Sequence, residues 1–254
     1  MTEETLVNID HASVSFDSVC AVDRFSLRLR PGERVALMGR TGAGKSTILS
    51  LLVGSMRPTS GSVRILGLDP YAQHAQLQGR VAMAFQTPRL LPWRTALGNV
   101  AVGLEILRRP KAERRRIAEE WLGRVHLQDA LHKYPSQLSG GMRQRVSLAR
   151  AFAVKPELIF LDESFSALDE VTARSLRADF VELCEATGTS AVIVTHSIEE
   201  AFAVANRVIV LGRPARVLCE YDAAPVRAAG QAELEAVSTE IRARLAEETP
   251  VPSG

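Results

Sequence analysis

Apolar and polar residues alternate along residues 5–30, in "LVNIDHASVSF" and "AVDRFSLRLR". Such alternation sends one face to a core and the other to water, which predicts antiparallel strands. After the turn "PGE" the pattern changes. "RVALMG" is a short continuous apolar run, as in a strand buried on both faces. It feeds a glycine loop, and "KSTILSLLVG" then predicts a helix that stops at Gly54. "SGSVRILG" and "VAMAFQ" predict two further strands, the second ending on Gln86.

From Pro88 the spacing becomes helical. Three helices are expected, over "TALGNVAVGLEILRR", "KAERRRIAEEWLGRV" and "SGGMRQRVSLARAFAV". "ELIFLDE", "SAVIVTH" and "RVIVLG" return to buried strands. The expected fold class is α/β: a core with a mostly parallel sheet, an N-terminal antiparallel β-subdomain, and an α-helical subdomain inserted at about 88–155. Residues 1–222 read as one domain. In 223–254, "AELEAVSTEIRARLAEE" puts Leu234, Val237, Ile241 and Leu245 on one helical face, so this part reads as a helical tail.

Composition narrows the field only a little. The 254 residues are 46% hydrophobic and 24% charged, an ordinary globular mix. A net charge of +2 gives no reason to expect nucleic acid as a partner. Cys20, Cys184 and Cys219 are scattered and odd in number, which argues against a disulfide framework or a zinc site and suits a reducing cytosol. No basic-then-apolar leader opens the chain, and no apolar run approaches the roughly 18 residues of a membrane span.

The chemistry lies in the glycine loops. Gly39-Arg40-Thr41-Gly42-Ala43-Gly44-Lys45-Ser46, followed by Thr47, matches GxxxxGK[ST] between a strand and a helix. The glycines let backbone N–H groups converge on phosphate oxygens, and Lys45 neutralises the β- and γ-phosphates. Ser46 offers its hydroxyl to Mg²⁺, while the helix that follows aims its positive end at the anion. The fold thus reads as a P-loop NTPase core. "LIFLDE" ends a buried strand on two carboxylates, a costly arrangement unless they are used. Asp162 is expected to hold Mg²⁺ and Glu163 to polarise the attacking water. None of the four lysines is followed two positions later by Asp, so the guanine-reading [NT]KxD motif is missing.

"LSGGMRQR" (138–145) is a second glycine-rich helix start. Ser139 is a plausible N-cap, and with Gly140 and Gly141 it presents N–H groups and a hydroxyl suited to a γ-phosphate. The loop at 39–47 already holds this chain's own nucleotide. The second site makes sense if it serves another chain's, in a symmetric head-to-tail dimer. Close packing of the two glycines is the other reading.

Gly39–Thr47, Gln86, Leu138–Arg145, Leu158–Glu163, Ser166–Asp169 and His196 together resemble the ATP-binding cassette (ABC) ATPases, in order and spacing, over essentially residues 5–220. The resemblance implies an ATP-hydrolysing homodimer with composite sites. Gln86 would contact Mg²⁺ or its water and report the nucleotide state. "SALD", with Asp169, would lie at the dimer seam. His196 would sense the γ-phosphate, and Phe16 would stack on adenine. The residues alone leave alternatives: "SALD" as a surface turn, His196 as a structural residue beside a capping box, Phe16 as core. Ser164 and Ala43 depart from the usual Pro and Ser of the transporter members, and Ser164 is expected to loosen the turn before "SALD".

One cassette without a heptad run or basic face suits a transport motor rather than a soluble ABC machine. "TPRLLPWRTALGNVAVGL" clusters Leu90, Leu91 and Trp93, apolar residues fit either for docking a permease or for packing within the helical insertion. "LLPWRTALGNV" with the octapeptide is similar to nitrate/sulfonate/taurine-type importers. That similarity implies transmembrane permease subunits, indirectly a solute-binding protein, and a peripheral place on the cytoplasmic face of the membrane.

Overall fold

The computed structural model describes residues 5–248. They cluster into two compact units. The first holds the described residues up to Leu77 and from Val192 onward, and the second runs from Gln78 to Ala191.

In the first unit, β1 (Val7–Phe16) pairs antiparallel with β2 (Val19–Leu29) on one side and β4 (Ser60–Ile65) on the other. Alternation sends Val7 and Ile9 into the core, and a register shift around His11, whose φ is 46°, then puts Ala12 and Val14 there. All six residues of β3 (Arg34–Gly39) are buried, as a continuous apolar run requires. α1 (Lys45–Leu52) follows and buries Ile48, Leu49, Leu51 and Leu52, and the chain leaves it at Gly54 with φ of 72°.

The second unit opens on β5 (Val81–Ala84), which stops two residues before Gln86 rather than on it. The single helix expected over 95–109 is two: α2 (Ala96–Val100) and α3 (Val102–Ile106). Gly98 and Gly103 weaken helix continuity there. The buried Asn99 also spends its amide on the backbone, donating to Leu91 O, Arg94 O and Thr95 O at 3.0–3.1 Å. α4 (Lys111–Arg124) buries Ile117, Ala118, Trp121 and Leu122 on one stripe. α5 (Gly140–Phe152), β6 (Leu158–Asp162) and α6 (Glu170–Thr187) complete the unit, with β5 and β6 parallel. An aromatic chain ties these elements: Trp121 to Phe152 at 5.6 Å, Phe152 to Phe180 at 6.2 Å, Phe180 to Phe165 at 5.9 Å between centroids. Phe165 lies in the turn just after Glu163, so the core packing reaches that turn directly.

β7 (Ser190–Thr195) carries the chain back to the first unit. α7 (Ile198–Val204) and β8 (Arg207–Leu211) follow, and β8 pairs parallel with β3 from Val35↔Arg207 to Gly39↔Leu211. β9 (Val217–Asp222) pairs antiparallel with β8, and α8 (Ala223–Ala229) follows; the hydrophobic pattern did not announce either. α9 (Gln231–Glu247) buries Val237 and Ile241, with Leu234 and Leu245 half-buried on the same face. Among the described residues no helix is long and apolar enough to cross a membrane.

Candidate nucleotide site

The phosphate loop hangs between β3 and α1. Gly42 and Gly44 take φ of 80° and 79°, the left-handed region that glycine enters without a Cβ clash. A Cβ on Gly44 would lie 2.4 Å from Ala21 O, so this turn requires glycine twice over. α1 has no side-chain cap at Gly44, and the N-terminus of a helix favours an anion. Lys45 is only 6% exposed; its Nζ donates to Gly39 O at 2.6 Å and Arg40 O at 3.0 Å, which folds the ammonium across the loop. Thr41 and Ser46 are exposed, Ala43 is buried and Thr47 half-buried.

His196 follows β7, and Ser197 caps α7 by accepting from Glu200 N at 3.2 Å. The histidine lines a cavity of about 330 Å³ together with Gly39 and Arg40. Two expected residue groups far apart in sequence thus meet within the first unit.

In the second unit the strand β6 delivers Asp162 and Glu163 as expected. Glu163 has φ of 44°, and a non-glycine residue there costs about 1–3 kcal/mol. The turn holds it: Ser166 donates to Glu163 O from N at 3.2 Å and from Oγ at 2.8 Å. Gln86 Nε2 contacts Glu163 Oε2 and Ser166 Oγ, both at 3.4 Å, so the three residues form one cluster. Ser164 does not loosen this turn. It is buried, and its Oγ donates to Ala84 O at 3.1 Å, tying the turn to the end of β5.

Ser139 caps α5 by accepting from Met142 N at 3.2 Å. The two glycines then divide the work. A Cβ on Gly141 would lie 2.5 Å from Thr172 Cγ2, so this glycine serves close packing on α6. Gly140 is exposed, and nothing comes nearer to its Cβ position than Leu168 Cδ2 at 3.9 Å. Asp169 caps α6 by accepting from Thr172 N at 3.0 Å; that hydrogen bond holds its carboxyl below the usual range.

The family model described as ABC transporter matches residues 22–166, more than half of the chain. This chain belongs to the ABC transporter family. It is 39% identical over 210 residues to the nitrate import ATP-binding protein NrtC of Synechococcus elongatus, covering 80% of this chain and 31% of NrtC. With the aliphatic sulfonates import ATP-binding protein SsuB 1 of Streptomyces avermitilis it shares 41% identity over 205 residues, covering 81% and 72%. A solved dimer of the ATP-binding cassette MJ0796, in a post-hydrolysis state bound to ADP and Pi, superposes with a TM-score of 0.75 at 31% identity, covering 85% and 98%. The chain thus spans about a third of NrtC and most of SsuB 1 and MJ0796.

Within this ABC chain, Phe16 ends β1 at 48% exposure, which removes the reading of it as core. Trp93 is 70% exposed while Leu90 and Leu91 are half-buried, so the apolar loop is divided between surface and interior. Two residues without an assigned role, Gln144 and Arg150, hold the segment 85–89 that leads into that loop. Buried Gln144 on α5 donates to Phe85 O at 3.1 Å. Arg150, one and a half turns on, donates to Pro88 O at 2.7 Å and Arg89 O at 2.9 Å, and burial lowers its pKa. Gln144 lies inside the octapeptide, yet nothing in a linear reading pairs it with a carbonyl 59 positions upstream.

Proposed function

We propose that this chain is the ATP-hydrolysing subunit of an ABC importer, acting as a homodimer with two composite nucleotide sites. The observation that carries the reading is the start of α5. Ser139 and Gly140 are exposed at a helix N-terminus, with only Leu168 Cδ2 in van der Waals range of the Gly140 Cβ position, in a chain that already owns a complete phosphate loop. A helix start of this kind suits the γ-phosphate of a partner's ATP.

In this reading Lys45 and the loop at 39–47 bind the phosphates, and Phe16 stacks on adenine. Ser46, Gln86 and Asp162 are hard oxygen donors that would hold Mg²⁺, which when bound neutralises phosphate charge. Gln86 makes its two side-chain contacts through Nε2, and its Oε1 is the atom this role would use. Glu163 orients and deprotonates water for in-line attack, and His196 stabilises charge on the γ-phosphoryl oxygens. Asp169 and the rest of "SALD" join the two sites across the seam. Residues 1–222 form the ATPase domain with its helical insertion at about 88–155, and 223–254 a tail.

Relatives named for nitrate and sulfonate import support an import role with a small solute as cargo. Exposed Trp93 fits a docking surface for separate transmembrane permease subunits, with a solute-binding protein acting beyond them and this subunit peripheral on the cytoplasmic face. No nucleic acid enters this scheme.

The dimer is tested by Gly140→Asp in a hydrolysis-deficient Glu163→Gln background, with ATP binding and mass by light scattering as readouts. The expected result is unchanged ATP affinity and a monomer, since the added carboxylate repels the partner's γ-phosphate. An ATP-bound dimer in the Gly140→Asp chain would overturn the composite site. The transport role is tested by tagging the chain in its own cells and solubilising membranes. A multispanning membrane protein is expected to co-purify in stoichiometric amount, and its loss on Trp93→Asp would place the contact. A chain that purifies without one is a soluble ABC ATPase.

A further inference from the structure

The C-terminal helix reaches back to the phosphate loop. Glu248, the residue that follows α9, accepts from Arg213 N at 2.7 Å and from the Arg216 guanidinium at 2.7 Å. Both partners lie in the turn between β8 and β9. The carboxylate also sits over Gly212, where a Cβ would lie 2.6 Å from Glu248 Oε2. Arg213 in turn lays its guanidinium on the phosphate loop: Nη1 and Cζ are 3.6 and 3.7 Å from the Cβ position of Gly42. Arg40, Thr41, Arg213, Leu245 and Glu248 wall one cavity of about 180 Å³ beside that loop. A tail carboxylate is therefore linked, through one arginine, to the backbone that cradles phosphate.

Physical chemistry gives the link a direction. Both hydrogen bonds of Glu248 involve its charge, and its side chain is only 13% exposed, which sets it apart from a solvated surface pair. Gly42 and Gly44 are the residues with most backbone freedom to lose when the loop orders around a ligand. A guanidinium packed on Gly42 removes part of that freedom before nucleotide arrives. Preorganisation of this kind strengthens binding and leaves the chemical step alone.

We infer that Glu248 is a positioning residue for nucleotide binding, seating Arg213 against Gly42 and so making the C-terminal helix part of the ATP site. The inference rests on reading 39–47 as the nucleotide loop. Arg213 is the residue it acts through, and Arg216 anchors the other carboxylate oxygen.

The test uses the full chain with MgATP, measuring steady-state turnover and equilibrium binding of a fluorescent ATP analogue. Glu248→Ala and Arg213→Ala are each expected to raise KM and Kd about five- to tenfold with kcat within about twofold. Glu248→Gln keeps an acceptor for Arg213 N–H without the charge; it is expected to fall between Glu248→Ala and the parent, and it covers the case where the alanine variant misfolds. In an Arg213→Ala background, Glu248→Ala is expected to add less than about twofold, because no guanidinium remains to be seated. Unchanged KM in Glu248→Ala and Glu248→Gln, or a full Glu248→Ala effect without Arg213, overturns the inference. Lys45→Ala separates the two levels. If it weakens binding by about 100-fold while the Glu248 variants bind normally, the nucleotide loop stands and only the tail's role falls.

Discussion

Glu163→Gln is expected to bind ATP with parental affinity, to lose roughly 10²–10⁴-fold in turnover, and to accumulate as an ATP-bound dimer. The size follows from the chemistry. A carboxylate accepts the proton of the attacking water, and an amide of the same shape does not. The structure argues that the exchange leaves the site standing. Glu163 is held through its backbone, by two hydrogen bonds from Ser166 to its carbonyl oxygen. Its left-handed φ of 44° is a backbone property that Gln adopts at similar cost. The amide oxygen of Gln can still accept from Gln86 Nε2, now 3.4 Å from Oε2. Turnover by single-turnover phosphate release, binding by titration and mass by light scattering read the three expectations separately. Near-parental turnover would remove Glu163 from the base role; weak binding would mean that the carboxylate also shapes the ground state.

What could be read from the chain, and what could not, divides along sequence separation. The phosphate loop was legible because its chemistry needs contiguous residues: glycines for left-handed turns, then a lysine that folds back five and six positions onto Arg40 O and Gly39 O. The face of α9 was legible because helical period alone lines up Leu234, Val237, Ile241 and Leu245. The cluster of Gln86 with Glu163 spans 77 positions, so no local pattern carries it. Ser164 shows how a family comparison can mislead. Serine in place of the usual proline suggests a looser turn, yet its hydroxyl ties that turn to Ala84 O. β9 has no clear alternation to read, because Leu218, Cys219 and Tyr221 are only half-buried and Val217 is exposed. The division of labour between Gly140 and Gly141 was out of reach for a different reason. Close packing accounts for Gly141 alone, and only the position of Thr172 on α6, distant in sequence, sets it apart from exposed Gly140.

The second large effect is expected from Lys45→Ala, which should weaken ATP binding by about 100-fold, equivalent to roughly 2.7 kcal/mol. Lys45 does two things at once. Its ammonium closes the loop by bonding Gly39 O and Arg40 O, and at 6% exposure it brings a positive charge where water screens little. Alanine removes the charge and also takes this donor from Gly39 O and Arg40 O, so a loop contact is lost together with an attraction. The remaining anion attraction is that of the α1 N-terminus and the loop N–H groups, each worth far less than a desolvated ammonium. Lys45→Arg discriminates between these contributions. It restores the charge, but a planar guanidinium cannot bond both carbonyls and a tetrahedral phosphate from the same point, so it should recover only part of the loss. If charge alone mattered, arginine would bind like the parent. If the loop closure alone mattered, Lys45→Ala and Lys45→Arg would bind equally weakly, with the same drop in melting temperature. Binding of ATP to Lys45→Ala within a few-fold of the parent would remove the lysine from phosphate recognition, and with it the reason for an ammonium buried in a glycine loop.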